Sequence, residues 1–323
     1  PFPYTAHLRF FGMKDKAKEM DVPPVSYIDE DEPLQFEEEG DDNGEDKNAN
    51  EQATEQQELV ERELYLIDAN GLVVPHTFAL PKTESVLKQA LEYLVEDGPI
   101  SDMLPNGFQA VLPAGTTVDV NLKEDGLVIA DFSTEFNDYD PEKELQILQA
   151  ITWTLTQFDN VDKVKIRING YDQETMPKNG TPIGDGWTRE NGINLEKDAV
   201  TDIVNSKGVT LYFLAQYGDE TYYVPVTRRV SVSSDEDMIA LAVKELLKGP
   251  SIHSPLLTDF RQGVELLDEP RYANGEVTLN FNEAILSELQ SSAISEEALN
   301  MLVFTLTEQP GIESVAIEVN GEA

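Results

Sequence analysis

From Glu63 to the C-terminus, apolar residues alternate with polar ones or recur at helical spacing, and Gly and Asn turns break the pattern. That texture predicts a definite series of elements. Residues 64–67 and 73–80 read as strands around Asn70-Gly71, a dipeptide that tolerates the left-handed backbone of a tight hairpin. Residues 83–96 read as a helix, with Val86 or Leu87, Ala90, Leu91 and Leu94 on one stripe and Gly98-Pro99 as its stop. Val118, Val120 and Leu122 alternate as a strand, Asp125-Gly126 turns the chain, and residues 127–132 return. Pro141 opens a second amphipathic helix with Leu145, Leu148, Thr152 and Leu155 on one face, and Val164, Ile166 and Ile168 alternate as a last strand. The order ββαββαβ gives two helices that can cover a sheet, which is an α+β two-layer sandwich.

The series occurs twice. TLTQFDNVDKVKIRING, residues 154–170, aligns without gaps on TLTEQPGIESVAIEVNG, residues 305–321. Upstream, GLVIADF (126–132) pairs with GEVTLNF (275–281), Gly98-Pro99 with Gly249-Pro250, and Leu64-Tyr65-Leu66 with Leu211-Tyr212-Phe213. Two tandem domains of about 110 residues follow, 63–170 and 209–323, a period too long for a solenoid. The second copy should carry helices near 235–247 and 295–307. Residues 171–208 form a linker rich in Gly, Asn and Pro, with Ile183, Trp187, Ile193 and Leu195 as its apolar points. Structureless loops of that length are uncommon in compact proteins, so the linker is expected to pack on or between the repeats.

Charge changes the picture at the N-terminus. Between residues 29 and 63 sixteen acidic residues face only Lys47 and Arg62, a net of −14. Such a stretch buries too little apolar surface to offset its ordering entropy, so residues 1–62 read as a disordered acidic tether. The whole chain carries a formal charge of −39 over 323 residues, and no run of Lys and Arg makes a basic patch, which argues against a nucleic-acid partner. No apolar stretch is long enough for a membrane span. The start at Pro1, with no initiator Met and no signal pattern, reads as a mature or truncated product.

Candidate chemistry is sparse. With no Cys, thiolate zinc sites and thiol nucleophiles are absent, and His7, His76 and His253 are too scattered for a zinc motif. No cofactor or metal is called for. Asp131 and Glu135, in ADFSTEF, are the carboxylate pair most suggestive of glycoside hydrolysis. The second repeat has Asn280 opposite Asp131, however, which favours a turn or capping duty. Trp187, in the linker, is the aromatic residue to consider for an interaction surface, with domain bridging as its competing duty.

The repeated order, a helix ending Gly-Pro, a Gly-led strand ending Asp-Phe or Asn-Phe, and a helix ending Thr-Leu-Thr before a last strand, resembles the GerMN domain of sporulation and germination proteins. The strings LYLID, ALPKTES, QALEYLV, LPNGF, ITWTLTQF, DKVK, INLE, YYVPVT, LLTDF and FTLTEQP carry the likeness over residues 63–323. It implies a fold similar to ring-building motifs and a non-catalytic, extracytoplasmic lipoprotein of the cell membrane. Its partners would be proteins of the envelope complex that joins mother cell and forespore. The lipobox cysteine that would carry the anchor is not in this chain, so that anchor is an expectation drawn from the family. Peptidoglycan binding, and less so wall hydrolysis by Asp131 and Glu135, are the alternatives.

Overall fold

A computed structural model of the protein describes residues 58–196, 205–232, 237–286 and 293–322, so the predicted tether lies outside the described residues up to position 57. The first repeat contains β1 (Leu59–Ile67), β2 (Val73–Pro81), α1 (Val86–Glu92), β3 (Val118–Leu122), β4 (Leu127–Phe132), α2 (Glu144–Leu155) and β5 (Lys163–Ile168). A two-residue strand, β6 (Tyr171–Asp172), follows. The second repeat contains β7 (Ser206–Tyr217), β8 (Glu220–Ser231), α3 (Met238–Leu247), β9 (Arg271–Ala273), β10 (Glu276–Phe281), α4 (Glu296–Thr307) and β11 (Ser314–Val319). Both repeats thus have the order ββαββαβ in an α+β architecture.

In each repeat the first two strands form their own antiparallel hairpin, β1-β2 or β7-β8. The remaining strands make a small mixed sheet: β3 and β4 pair antiparallel and β4 and β5 parallel, as β9, β10 and β11 do in the second copy. The long second helix is what joins hairpin and sheet. α2 touches β1, β2 and β5, and ten of its twelve residues are buried, from Glu144 to Leu155. An amphipathic stripe is therefore too narrow a description of it. Leu145 was expected on the inner face and is 36% exposed, whereas Ile147, Ile151 and Trp153 on other faces are buried.

Boundaries differ from the sequence expectation at the linker ends, where β6 and the start of β7 fall within 171–208, and at two elements of the first repeat. Strand β1 begins at Leu59, so the last residues assigned to the tether pair with β2 through Leu59↔Pro81 and Arg62↔Phe78. Arg62 is held there by its position over the Phe158 ring at 5.7 Å. Helix α1 is shorter than the expected 83–96, because the Leu94 carbonyl accepts the amides of Val111 and Leu112, and Glu96 N–H donates to Leu112. Those bonds divert the chain before another helical turn can form.

The Thr-Leu-Thr match between the repeats has a physical cause. The Thr154 hydroxyl accepts the Tyr65 amide at 3.2 Å, and the Thr305 hydroxyl accepts the Tyr212 amide at 3.0 Å. Each bond ties the first hairpin strand to the central helix from inside the core, where water cannot substitute. The closing Asn-Gly matches for a second reason. Asn169 and Asn320 take left-handed φ of 51° and 52°, which Asn tolerates better than most side chains. The glycine amides that follow them donate to Asp131 and Asn280, both at 2.9 Å.

Replacing Thr154 or Thr305 with Val keeps the shape but leaves a buried amide without an acceptor. We expect each change to cost about 1–3 kcal/mol in urea unfolding. A loss below about 0.5 kcal/mol, the level of an ordinary surface substitution, would show that the shared bond carries no stability.

Candidate functional site: the junction between the repeats

The residues with chemistry are spread and mostly engaged. Asp131 spends Oδ1 on the Gly170 amide, and Asn280 does the same in the second repeat, so the position serves a turn that either residue can hold. Glu135 lies in the short helical turn Thr134–Asp138, with its carboxyl below the usual range through hydrogen bonds from Ser133 and its own backbone. A general acid for glycoside hydrolysis needs the opposite shift. His76 sits edge-on to Phe108 at 4.2 Å and 6.2 Å from Tyr222 of the second repeat, and burial lowers its pKa. His253 lies in an exposed loop and His7 outside the described residues.

Trp187 is 7% exposed, which corrects its assignment as an interaction surface. Its backbone exchanges two hydrogen bonds of 2.9 Å with Val164 at the edge of β5, and its indole N–H donates to the Pro182 carbonyl at 2.8 Å. The ring closes the first repeat's sheet. Ile183 and Ile193 of the linker are buried with it, whereas Leu195 is exposed.

What the structure brings together is a junction, built by linker residues that the sequence did not single out. The Asn194 side chain accepts the Val73 amide at 2.8 Å and donates to the carbonyls of Val73 and Pro225, both at 2.7 Å. One amide thus bridges the hairpins of the two repeats. Beside it the linker runs against β8: Thr227 N–H donates to Ile193, Glu196 N–H to Thr227, and the Thr227 hydroxyl accepts the Ile193 amide. Gly192, at φ 82°, lets this approach happen, since a Cβ there would meet Leu195 Cδ2 at 2.6 Å and Thr227 Cβ at 3.0 Å. Its carbonyl accepts the Trp153 indole N–H at 3.3 Å.

At the centre lies Arg189. Nη1 reaches both oxygens of Glu308 at 2.9 Å, Nε donates to the Thr156 hydroxyl at 2.8 Å and Nη2 to the Trp153 carbonyl at 3.2 Å. The guanidinium also stacks on the Trp153 ring at 4.3 Å. Thr156 and Glu308 are the C-cap residues of α2 and α4, so one cation meets the carbonyl ends of both central helices, where positive charge is favoured. Burial opposes that charge most strongly, but Glu308 together with Tyr65 and Tyr212 outweighs it and the pKa of Arg189 is raised. Tyr212 donates to Glu308 at 3.0 Å, and burial, reinforced by that carboxylate, pushes the Tyr212 hydroxyl well above its ordinary value. Tyr65, the equivalent residue of the first repeat, is raised in the same way by burial, with the Tyr212 hydroxyl as its hydrogen-bond partner.

Two carboxylates fasten the linker on either side. Glu196 takes Arg228 Nε at 2.6 Å and Nη2 at 3.1 Å, and Arg228 goes on to the Glu245 and Gly249 carbonyls. On the first repeat Glu144, 1% exposed, accepts from the Tyr139 hydroxyl at 2.6 Å, from the Thr181 hydroxyl at 2.6 Å and from the amides of Lys178, Asn179 and Thr181. Burial alone would raise its pKa, but these donors prevail and hold it at about 2.

A carboxylate depressed in the folded state stabilises fully above its unfolded value of 4.5, and that contribution disappears as the pH falls through about 2. Glu144→Gln should therefore be less stable than the native protein by about 2–4 kcal/mol at pH 7, with the gap closing towards pH 2. A gap independent of pH would contradict the assignment. Arg189→Ala leaves Glu308 without its cation; the native chain should unfold in one thermal transition and the variant in two, and one unchanged transition in the variant would count against the clamp.

The family model for sporulation and spore germination, Germane, matches residues 63–174 and 210–323. Spore germination protein GerM of Bacillus subtilis (strain 168) is 54% identical over 266 residues, which are 82% of this chain and 72% of that protein. The solved tandem GerMN domains of the same Bacillus subtilis protein superpose with a TM-score of 0.77 at 54% identity, covering 82% of this chain and 92% of that one. With two matched copies spanning well over half its length, the chain belongs to the Germane family of sporulation and spore germination proteins.

Proposed function

We propose that the protein is a non-catalytic scaffold on the extracytoplasmic face of the cell membrane, supporting the envelope complex between mother cell and forespore. The observation that carries this reading is the junction. Arg189, Asn194 and Glu196 spend their side chains on holding two copies of one domain in a single arrangement, which suits a part that fixes the spacing of protein partners. Asp131 is similarly spent on a turn, which speaks for binding rather than catalysis. Attachment would come from an acylated cysteine ahead of Pro1; no helix among the described residues is long and apolar enough to cross a membrane. The acidic segment would then act as a spacer, reaching roughly 5–6 Å × √n for n flexible residues and further under charge repulsion. A peptidoglycan-binding role draws on the extracytoplasmic inference and on Trp187, and the burial of that ring takes away the second support.

The test is genetic and structural together. Deleting the gene should lower spore yield and the recovery of the envelope complex, and restoring a chain with Arg189→Ala should rescue neither fully. Normal spores and a normal complex without the gene would end this reading.

A further inference from the structure

The two repeats treat one edge of their sheets differently. In the first, the outer edge of β5 is covered by the linker: Arg167 and Ile168 pair antiparallel with Asp172 and Tyr171, Gln173 N–H donates to Ile166, and Trp187 pairs with Val164. Under that cover Ile166 is 1% exposed and Ile168 is buried. In the second repeat the equivalent positions are Val315, Ile317 and Val319 of β11. β11 pairs with β10 along its inner edge, and on its outer edge Val319 bonds, among the described residues, only to Glu322, three residues past the strand. The outward N–H and C=O groups of Val315 and Ile317 meet no backbone partner among the described residues, and Ile317 and Val319 are half-buried where their counterparts are fully covered.

We propose that the outer edge of β11 is a docking site for an extended, basic segment of another protein, added as an antiparallel strand. The first repeat displays the geometry of such an occupant: an antiparallel backbone against this edge, with an aromatic residue opposite Val164, the counterpart of Val315. Charge decides its sign. Arg167 faces Asp172 of the linker at 2.5 Å, but the position equivalent to Arg167 is Glu318, so the complementary residue in an occupant is Lys or Arg. Oε2 of Glu318 is held by Arg271 at 2.5 Å, which leaves Oε1 for that contact. Residues 209–323 carry nineteen acidic against six basic side chains, a net of −13. Two copies meeting at this edge would repel, whereas a basic segment would be steered to it. Backbone pairing supplies the binding free energy and side chains on alternate positions supply the selectivity.

The proposal rests on the scaffold reading for its class of partner, but its test is separable from the genetic one because it needs only the purified chain. The probe is a synthetic ten-residue peptide alternating Lys with Val and carrying one Trp; controls are a Glu-for-Lys version and one with Pro at alternate positions. The Lys peptide should bind with a Kd on the order of 10–100 μM and slow amide exchange at Val315 and Ile317 by about tenfold or more, both controls failing. Ile317→Pro should abolish binding, and Glu318→Lys, which leaves the backbone able to fold, should weaken it by about tenfold. Four results would overturn the site: slow exchange at Val315 and Ile317 in the free protein, binding of the Pro peptide, binding that ignores Glu318→Lys, or a dimer that Ile317→Pro dissociates.

Discussion

The structure depends on one half-buried cation. Arg189 belongs to neither repeat, yet its guanidinium meets the C-terminal ends of both central helices, through Thr156 and the Trp153 carbonyl on one side and Glu308 on the other. A planar group with five donors can satisfy all of these at once while stacking on Trp153, which a lysine ammonium cannot. Because the partners come from two separate parts of the chain and the cation from a third, they are correctly spaced only when both repeats are folded and docked. Removing the cation would leave Glu308 and the Tyr212 hydroxyl facing each other in a poorly hydrated space, so the interaction penalises undocking more than it rewards docking.

Around that point the duplication has been kept where it holds each repeat together and changed where the repeats meet. The Thr154 and Thr305 hydroxyls make the same bond in both copies. One position beyond the Thr-Leu-Thr motif the copies diverge. Gln157 accepts the Glu63 amide and donates to the Glu63 carbonyl of its own repeat, whereas Glu308 reaches across to the linker. Trp153 and Phe304 diverge similarly: both lie beside a hairpin tyrosine, at 5.9 and 5.6 Å, but only the indole has an N–H to give to Gly192. Fold and assembly are thus encoded in different positions of one repeated pattern.

That division explains what could be read from the sequence. Strands and helices were legible because alternation and helical spacing are local, and the duplication was legible because matched positions carry matched duties. The role of Asp131 was also within reach, since Asn280 in its place signals a hydrogen-bond acceptor rather than an acid. The junction was not. Asn194 and Arg189 sit in a segment without periodicity, and their partners lie between 31 and 121 residues away. A single arginine in a Gly- and Asn-rich linker, within a chain so short of basic residues, was the signal available for Arg189. Trp187 was singled out as an apolar point in that linker, but its burial follows from pairing with Val164, which no local pattern announces. The exposed face of Leu145 has a related cause: a helix covered by a hairpin and a sheet no longer has one inner stripe.

The central claim is that the linker makes one rigid body of two repeats. The absence of cysteine allows a direct measurement, by spin labels attached at Glu124→Cys in the β3–β4 turn and Glu269→Cys ahead of β9, both exposed. Pulsed electron–electron double resonance on the doubly labelled chain should return a single narrow distance, no wider than the labels themselves, and the same distance at low and high salt. A broad or multiply peaked distribution in the native protein would mean that Arg189 and its partners do not fix the repeats, and the account would fail at its centre.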